Sequence, residues 1–207
     1  MTPAPLTPAV VFVGMNPGRE ECLKNEPFIG PSGRVVRTSF IPGTRLQTLA
    51  SVYLANIARC YSPITPTGNL IANKHYSACR PYLLLDLFLI PNRPIHLVAL
   101  GADPTRHLCT LLNLGKSRSL TWLFSHQGTP FTLEKPRDGQ APEQITGRLW
   151  GTFHPAAILR NRSLILSSEQ HLNLLSSYLS GLTPEPTRPE IAPCRPPLTL
   201  PPTPPST

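Results

Sequence analysis

"VVFVGMNPGREECLKNEPFIGPSGR", Val10–Arg34, decides how the rest of the chain is read. Val10–Val13 is a short unbroken apolar run, the pattern of a strand buried on both faces. It breaks into Gly14-Met15-Asn16-Pro17-Gly18. The two glycines open backbone angles closed to other residues and let a ligand approach the main chain. Pro17 stiffens the turn, and successive amides there suit an anion. Such turns are common on their own. What sharpens this one is the Pro27-Phe28-Ile29-Gly30 that follows. An aromatic beside a flexible turn, with an amide nearby, suits a pocket for a flat heterocycle: the ring stacks and the amide reads polar edges. Taken alone, Phe28 reads equally well as a core residue.

The alternation that begins here continues along the chain. Val52–Ile57, Ile95–Leu100 and Arg148–Phe153 read as further strands, each short, apolar and followed by turn residues. Helical patterns lie over Gly33–Ala50, Ile71–Phe88, Pro104–Leu112 and Ser167–Gly181. Strand–helix alternation implies an α/β protein, a three-layer α/β/α arrangement around a central four-stranded parallel sheet. Ligands of such sheets sit at the carboxyl ends of the strands. The Gly14–Gly18 turn is at one such end and His154 at another. Gln127–Ala141, rich in Gly, Pro and charge, reads as a long loop or a hairpin. We expect one domain over residues 6–181, preceded by a short extension (1–5). Residues 182–207 hold ten of the 27 prolines and show no periodicity, so this tail is expected to be disordered, its partner unknown.

The 207 residues carry a formal net charge of +8, with 14% charged and 40% hydrophobic residues. Basic excess favours anionic partners, nucleic acid above all, without specifying a fold. No apolar run approaches the ~20 residues of a membrane span, and the N-terminus lacks the pattern of a secretory signal. We expect a soluble protein, cytoplasmic or nucleoid-associated, and a monomer. Five widely spaced cysteines argue against a disulfide framework.

These blocks together resemble the uracil-DNA glycosylase superfamily, and most closely its family-four branch. That branch has Gly-Glu-Ala-Pro-Gly, an acidic linker and Pro-Phe-Val-Gly-x-Ala-Gly, with the spacing found here from Gly14 to Gly33. VYLANIARC (52–60) is similar to its strand ending in Thr-Asn-x-x-x-Cys. YSACRPYLLLDL (76–87) resembles its Cys-x-Pro-Tyr-Leu helix, and LVALGADPTRHL (97–108) its Leu-Gly-Ala turn. TFHPAAILRN (152–161) resembles its Thr-x-His-Pro-x-x-Leu-Leu-Arg-Asn segment. The first turn departs from family four: Gly-Met-Asn-Pro-Gly is similar to the motif of the single-strand-selective branch, in which the Asn is catalytic. The stretch after Cys60 lacks the Lys-Arg-Arg-Ile-His loop of the covalently trapping branch.

The resemblance implies a monofunctional DNA glycosylase that removes uracil from DNA in base excision repair. A catalytically inactive DNA-binding relative, or a glycosylase for another deaminated base, is the alternative. It makes Asn16 and His154 the catalytic residues. Asn16 orients a water and His154 stabilises the departing base. Gly14, Met15, Phe28 and Asn56 form the uracil pocket, with Phe28 stacking and Asn56 reading the base. Ser32, Gly33, Pro155, Ile158, Leu159 and Arg160 face DNA, the apolar pair as a wedge and Arg160 on phosphate. Asn16 is no general base, and a carboxylate would add helpful negative charge; Glu20 and Glu21 are the nearest in sequence. Family four holds a 4Fe–4S cluster with four cysteines. Cys60 and Cys79 match the last two, but the Cys-x-x-Cys pair before the first strand is missing here, so no cofactor and no metal are expected. Cys22, Cys109 and Cys194 are unpaired in that scheme.

Overall fold

In the computed structural model, the residues described are 7–61, 64–65, 68–69, 73–115, 118–137 and 140–181. The expected tail (182–207), Cys194 and the extension (1–5) lie outside them. The chain opens with β1 (Ala9–Gly14), then α1 (Arg19–Lys24) and α2 (Pro31–Val35). α2 widens into a π-helical turn, Val36–Phe40, and closes as α3 (Ile41–Gly43). After α4 (Leu46–Leu49) come β2 (Ser51–Asn56) and a small hairpin, β3 (Ile64–Thr65) with β4 (Gly68–Asn69). Next are α5 (Asn73–Leu89), β5 (Ile95–Leu100), α6 (Ala102–Leu111) and α7 (Leu120–Phe124). β6 (Thr129–Arg137), β7 (Gln140–Thr152), α8 (Pro155–Arg160) and α9 (Leu164–Leu179) complete the order.

The main sheet has five strands in the order β2-β1-β5-β7-β6, one more than expected. Four are parallel; β6 runs antiparallel to β7. The fifth strand is the Gln127–Ala141 stretch resolved as a hairpin arm. Phe131 and Leu133 are buried while Thr132 and Glu134 are exposed, the period of two that a half-covered strand requires. Pro130 and Pro136 disguise it, and an edge position tolerates them. The expected single helix over Gly33–Ala50 is broken, because Pro42-Gly43 and the left-handed Arg45 (φ 57°) interrupt it.

β1 and β5 are buried along their whole length, which explains their unbroken apolar runs. Alternate residues feed two cores. Val11, Val13, Leu97 and Ala99 join Leu83 and Leu87 of α5 and Leu108 of α6. Val10, Phe12, Val98 and Leu100 join Phe40, Ile158 and Leu172. Helices therefore cover both faces, and the strand ends are left for the loops after β1, β5 and β7. Among the described residues no helix is long and apolar enough to cross a membrane.

Candidate active site

The first wall of the site is built at the end of β1. Gly14 accepts from the Ile57 amide at 3.0 Å, and Met15 accepts from Ala58 at 2.9 Å. These bonds stitch the turn to the end of β2 and bring Asn56 alongside. A β-carbon on Gly14 would lie 2.5 Å from Asn56 Oδ1 and 3.0 Å from Phe28 Cζ. Glycine is thus required here by close approach. Gly14, Phe28 and Asn56, far apart in sequence, share one spot. Phe28 is 7% exposed and belongs to the core under β1 while its ring reaches Gly14. Met15 follows on the same turn, and its partly buried side chain packs against the other core.

Asn16 stands on the turn itself, half-buried, with Nδ2 donating to the Pro17 carbonyl at 3.1 Å. Of the two nearby carboxylates, Glu20 is exposed. Glu21 curls back, and its Oε2 accepts from the Gly18 amide at 2.8 Å. Glu21 therefore pins the turn that carries Asn16. A groove of about 620 Å³ opens beside it along the free edge of β2, bordered by Pro17, Tyr53, Asn56, Leu87 and Ile90. It meets the site at Asn56 and leads away from His154.

The opposite wall is His154, the N-cap of α8. Its Nδ1 accepts from the Ala156 amide at 3.1 Å. An accepting Nδ1 leaves the ring proton of the neutral imidazole on Nε2. Burial holds the imidazole below its usual pKa, and the Arg160 guanidinium adds to that. His154 is thus a neutral ring whose free nitrogen donates. Beneath it lies Gly101, at φ 96°, where a β-carbon would come 2.8 Å from His154 Cβ. β1 and β7 flank β5, so the two walls stand about 10 Å apart at the usual strand spacing. That width admits a flat base over a floor that has no side chain at Gly14 or Gly101.

The residues expected to face DNA divide. Leu159 is 50% exposed and Arg160 is exposed. Ile158 is only 3% exposed and packs in the core with Phe28 and Leu172, so of the two apolar residues expected to form a wedge only Leu159 stands at the surface. Pro155 is buried at the first position of α8. Ser32 is half-buried; Gly33 is buried, and its missing side chain makes room for Phe28, whose carbonyl carbon would lie 2.1 Å from a β-carbon there. α2 and α8 pack together, so Ser32 and Leu159 belong to neighbouring elements.

Cys60 is exposed and Cys79 buried. Among the described residues no three His, Cys, Asp or Glu side chains gather as a metal site. The described residues therefore bring together no set of four thiolates to hold such a cluster. Sequence reading missed Gly101 as part of the floor, although the Leu-Gly-Ala block contained it. It also missed the clasp from Glu21 to Gly18, whose signal was the capping spacing of Gly18 to Glu21.

Residues 3–180 match the family model of the uracil DNA glycosylase superfamily. A type-4 uracil-DNA glycosylase from Archaeoglobus fulgidus is 31% identical over 152 residues, 72% of this chain and 66% of the relative. The Thermotoga maritima type-4 enzyme is 31% identical over 157 residues, 74% of this chain and 68% of the relative. One from Saccharolobus solfataricus is 24% identical over 83% of this chain and 72% of the relative. The chain thus spans about two thirds of the length of these curated relatives.

Proposed function

The chain belongs to the uracil DNA glycosylase superfamily, and from that premise we propose that it hydrolyses the N-glycosidic bond of uracil in DNA, the opening step of base excision repair. The observation that carries this reading is the convergence of Gly14, Phe28 and Asn56 at the end of β1, with a neutral, outward-donating His154 two strands away.

The chemistry divides among these residues. A base inside a duplex must first leave the stack, at a cost of a few kcal/mol. Stacking on Phe28 returns about 1–3 kcal/mol of that. Asn56 accepts from uracil N3–H through Oδ1 and donates to O4 through Nδ2. Cytosine presents the reverse pattern and is rejected. As the C1′–N1 bond breaks, its electron pair leaves with uracil and the sugar gains oxocarbenium character. His154 Nε2–H donates to uracil O2, where the negative charge grows, and no proton needs to transfer. Asn16 orients a water toward C1′; water adds to the sugar and its proton passes to solvent. With so electrophilic a centre, positioning does the work a general base would do elsewhere. Leu159 enters the space left by the extruded base, and Arg160 and Ser32 meet phosphates. We assign the activity to residues 6–181 acting as a monomer within the cell, beside its DNA, without an iron–sulfur cluster.

The test is a gel assay. Labelled oligonucleotides with one uracil, single-stranded or opposite G or A, are incubated with excess protein and then alkali. Cleavage at uracil that is lost in Asn16→Ala and His154→Ala supports the reading. Uracil-dependent binding without cleavage by the wild type would overturn it in favour of a binding protein.

A further inference from the structure

The loop that presents Phe28 is held in an uncommon shape by features outside the reacting groups. Phe28 has φ 61°, in the left-handed region that a bulky side chain disfavours. Such residues persist only where their surroundings over-determine them, and they collect at functional sites. Two partners do so here. Gly33 gives up its side chain to the Phe28 backbone. Arg37 reaches back from the other side: Nε donates to the Phe28 carbonyl at 3.1 Å and an Nη to the Pro27 carbonyl at 2.8 Å. The same Nη lies 3.4 Å from Glu26 Oε1. A guanidinium suits this task, because its planar fork spans two successive carbonyls at once. Arg37 also sits in the first turn of the π-helical stretch Val36–Phe40, an irregularity that is rare and often functional. Left-handed residue and widened helical turn therefore meet in the same hydrogen bonds. The residue so clamped is the one whose ring stands against Gly14 and Asn56.

We propose that Arg37 is a positioning residue for base recognition. It locks the Pro27–Phe28 backbone so that the ring is set to stack on the extruded base before DNA arrives. This rests on the uracil-DNA glycosylase reading and adds a determinant to the same pocket. The rival role is a phosphate contact, since the Arg37 side chain is 41% exposed, and the two roles separate experimentally.

The experiment uses the full chain as wild type, Arg37→Ala, Arg37→Lys, Phe28→Ala and the Phe28→Ala/Arg37→Ala double variant. Three quantities are read: single-turnover cleavage of uracil-containing DNA, inhibition or binding by free uracil, and affinity for uracil-free DNA against salt. Arg37→Ala is expected to weaken the response to free uracil and raise KM about tenfold, the scale of a slightly misplaced group. Affinity for uracil-free DNA and its salt slope stay unchanged. Arg37→Lys does not rescue, because one ammonium cannot span both carbonyls. In the Phe28→Ala background the arginine change adds nothing. Additive losses in the double variant would overturn the proposal, as would a wild-type response to free uracil. So would weaker binding of uracil-free DNA with a shallower salt slope, the mark of a phosphate contact. If Arg37→Ala does not fold, Arg37→Lys supplies the same readings. A wild type that binds free uracil without cleaving DNA defeats the glycosylase reading and leaves the Arg37 comparison intact. A wild type that does neither defeats both.

Discussion

Two groups of residues that the resemblance carried together behave differently in the molecule. Gly14, Phe28 and Asn56 come from two separate blocks and are packed to the limit of van der Waals contact; His154 is likewise seated on Gly101. Cys60 and Cys79, also matched by block, are one exposed and one buried, and among the described residues no third metal-ligating side chain joins them. The first group is interlocked, so a side chain added at either glycine collides with its neighbours. The second shows no such interlock among the described residues. A motif whose members touch is held by geometry as well as by chemistry; a motif whose members do not touch is free to drift.

The sharpest way to break this contrast is at the interlocked end. His154→Ala removes the donor to the leaving base and is expected to lower the single-turnover rate about 100- to 1000-fold. Because Nδ1 of His154 also caps α8 through Ala156, His154→Asn, which keeps a capping side chain, separates lost capping from lost catalysis. Gly14→Ala comes next. Its methyl would sit 2.5 Å from Asn56 Oδ1, so the amide must turn from the base, with an expected loss on the order of 100-fold. The loss appears mostly in uracil affinity. Wild-type kinetics in Gly14→Ala would mean that the close packing is incidental.

pH gives a smaller effect whose sign is fixed. Burial and Arg160 depress the pKa of His154, so the active neutral form survives as pH falls to about 6.5, the ordinary imidazole value. The rate should be flat down to there and drop only below it; a drop already near neutrality would indicate a charged imidazole. Stability follows the same direction. His96, buried beside Trp150 and near Arg148, is pushed down to about 4, mainly by burial. His107 and His171 are also depressed by burial. The unfolded chain therefore binds more protons than the folded one below about pH 6.5, and stability declines as pH falls through that window toward 4. Thermal melts from pH 7.5 to 4.5 check it, and His96→Asn should flatten the slope.

What could be read without coordinates follows the same division. β1 and β5 were legible because burial on both faces demands an unbroken apolar run. That Phe28 and Asn56 belong together was carried by the family resemblance, and the fold brings both against Gly14. β6 was legible only as one of two choices, a long loop or a hairpin, since Pro130, Pro136 and its charges imitate a loop, and its antiparallel pairing with β7 and the buried pair Phe131 and Leu133 decide for the hairpin. The choice between Ile158 and Leu159 was not legible, since it depends on how the six-residue α8 rotates against the core. Arg37 was invisible in its role because it acts on backbone carbonyls, which leave no signature in the side-chain pattern, whereas the Glu21 clasp showed only in its capping spacing from Gly18.

The smallest expected effect lies at the other end of the comparison. If Cys60 and Cys79 are independent thiols, treating the protein with an iron chelator leaves uracil excision unchanged, and the purified chain carries no stoichiometric iron and no visible absorbance. Cys60→Ser, at an exposed site, should stay within about 0.5 kcal/mol of wild type. Cys79, 9% exposed and packed with Tyr76 and Leu83, behaves as a small hydrophobe, so Cys79→Ala should cost about 1 kcal/mol with activity intact. The two changes should add, because no disulfide joins these free thiols. A shared metal would make them strongly non-additive: either substitution alone would forfeit the bound iron, and the second would then cost almost nothing. That single cycle, read by melting and by iron content, distinguishes two drifting cysteines from two members of a site.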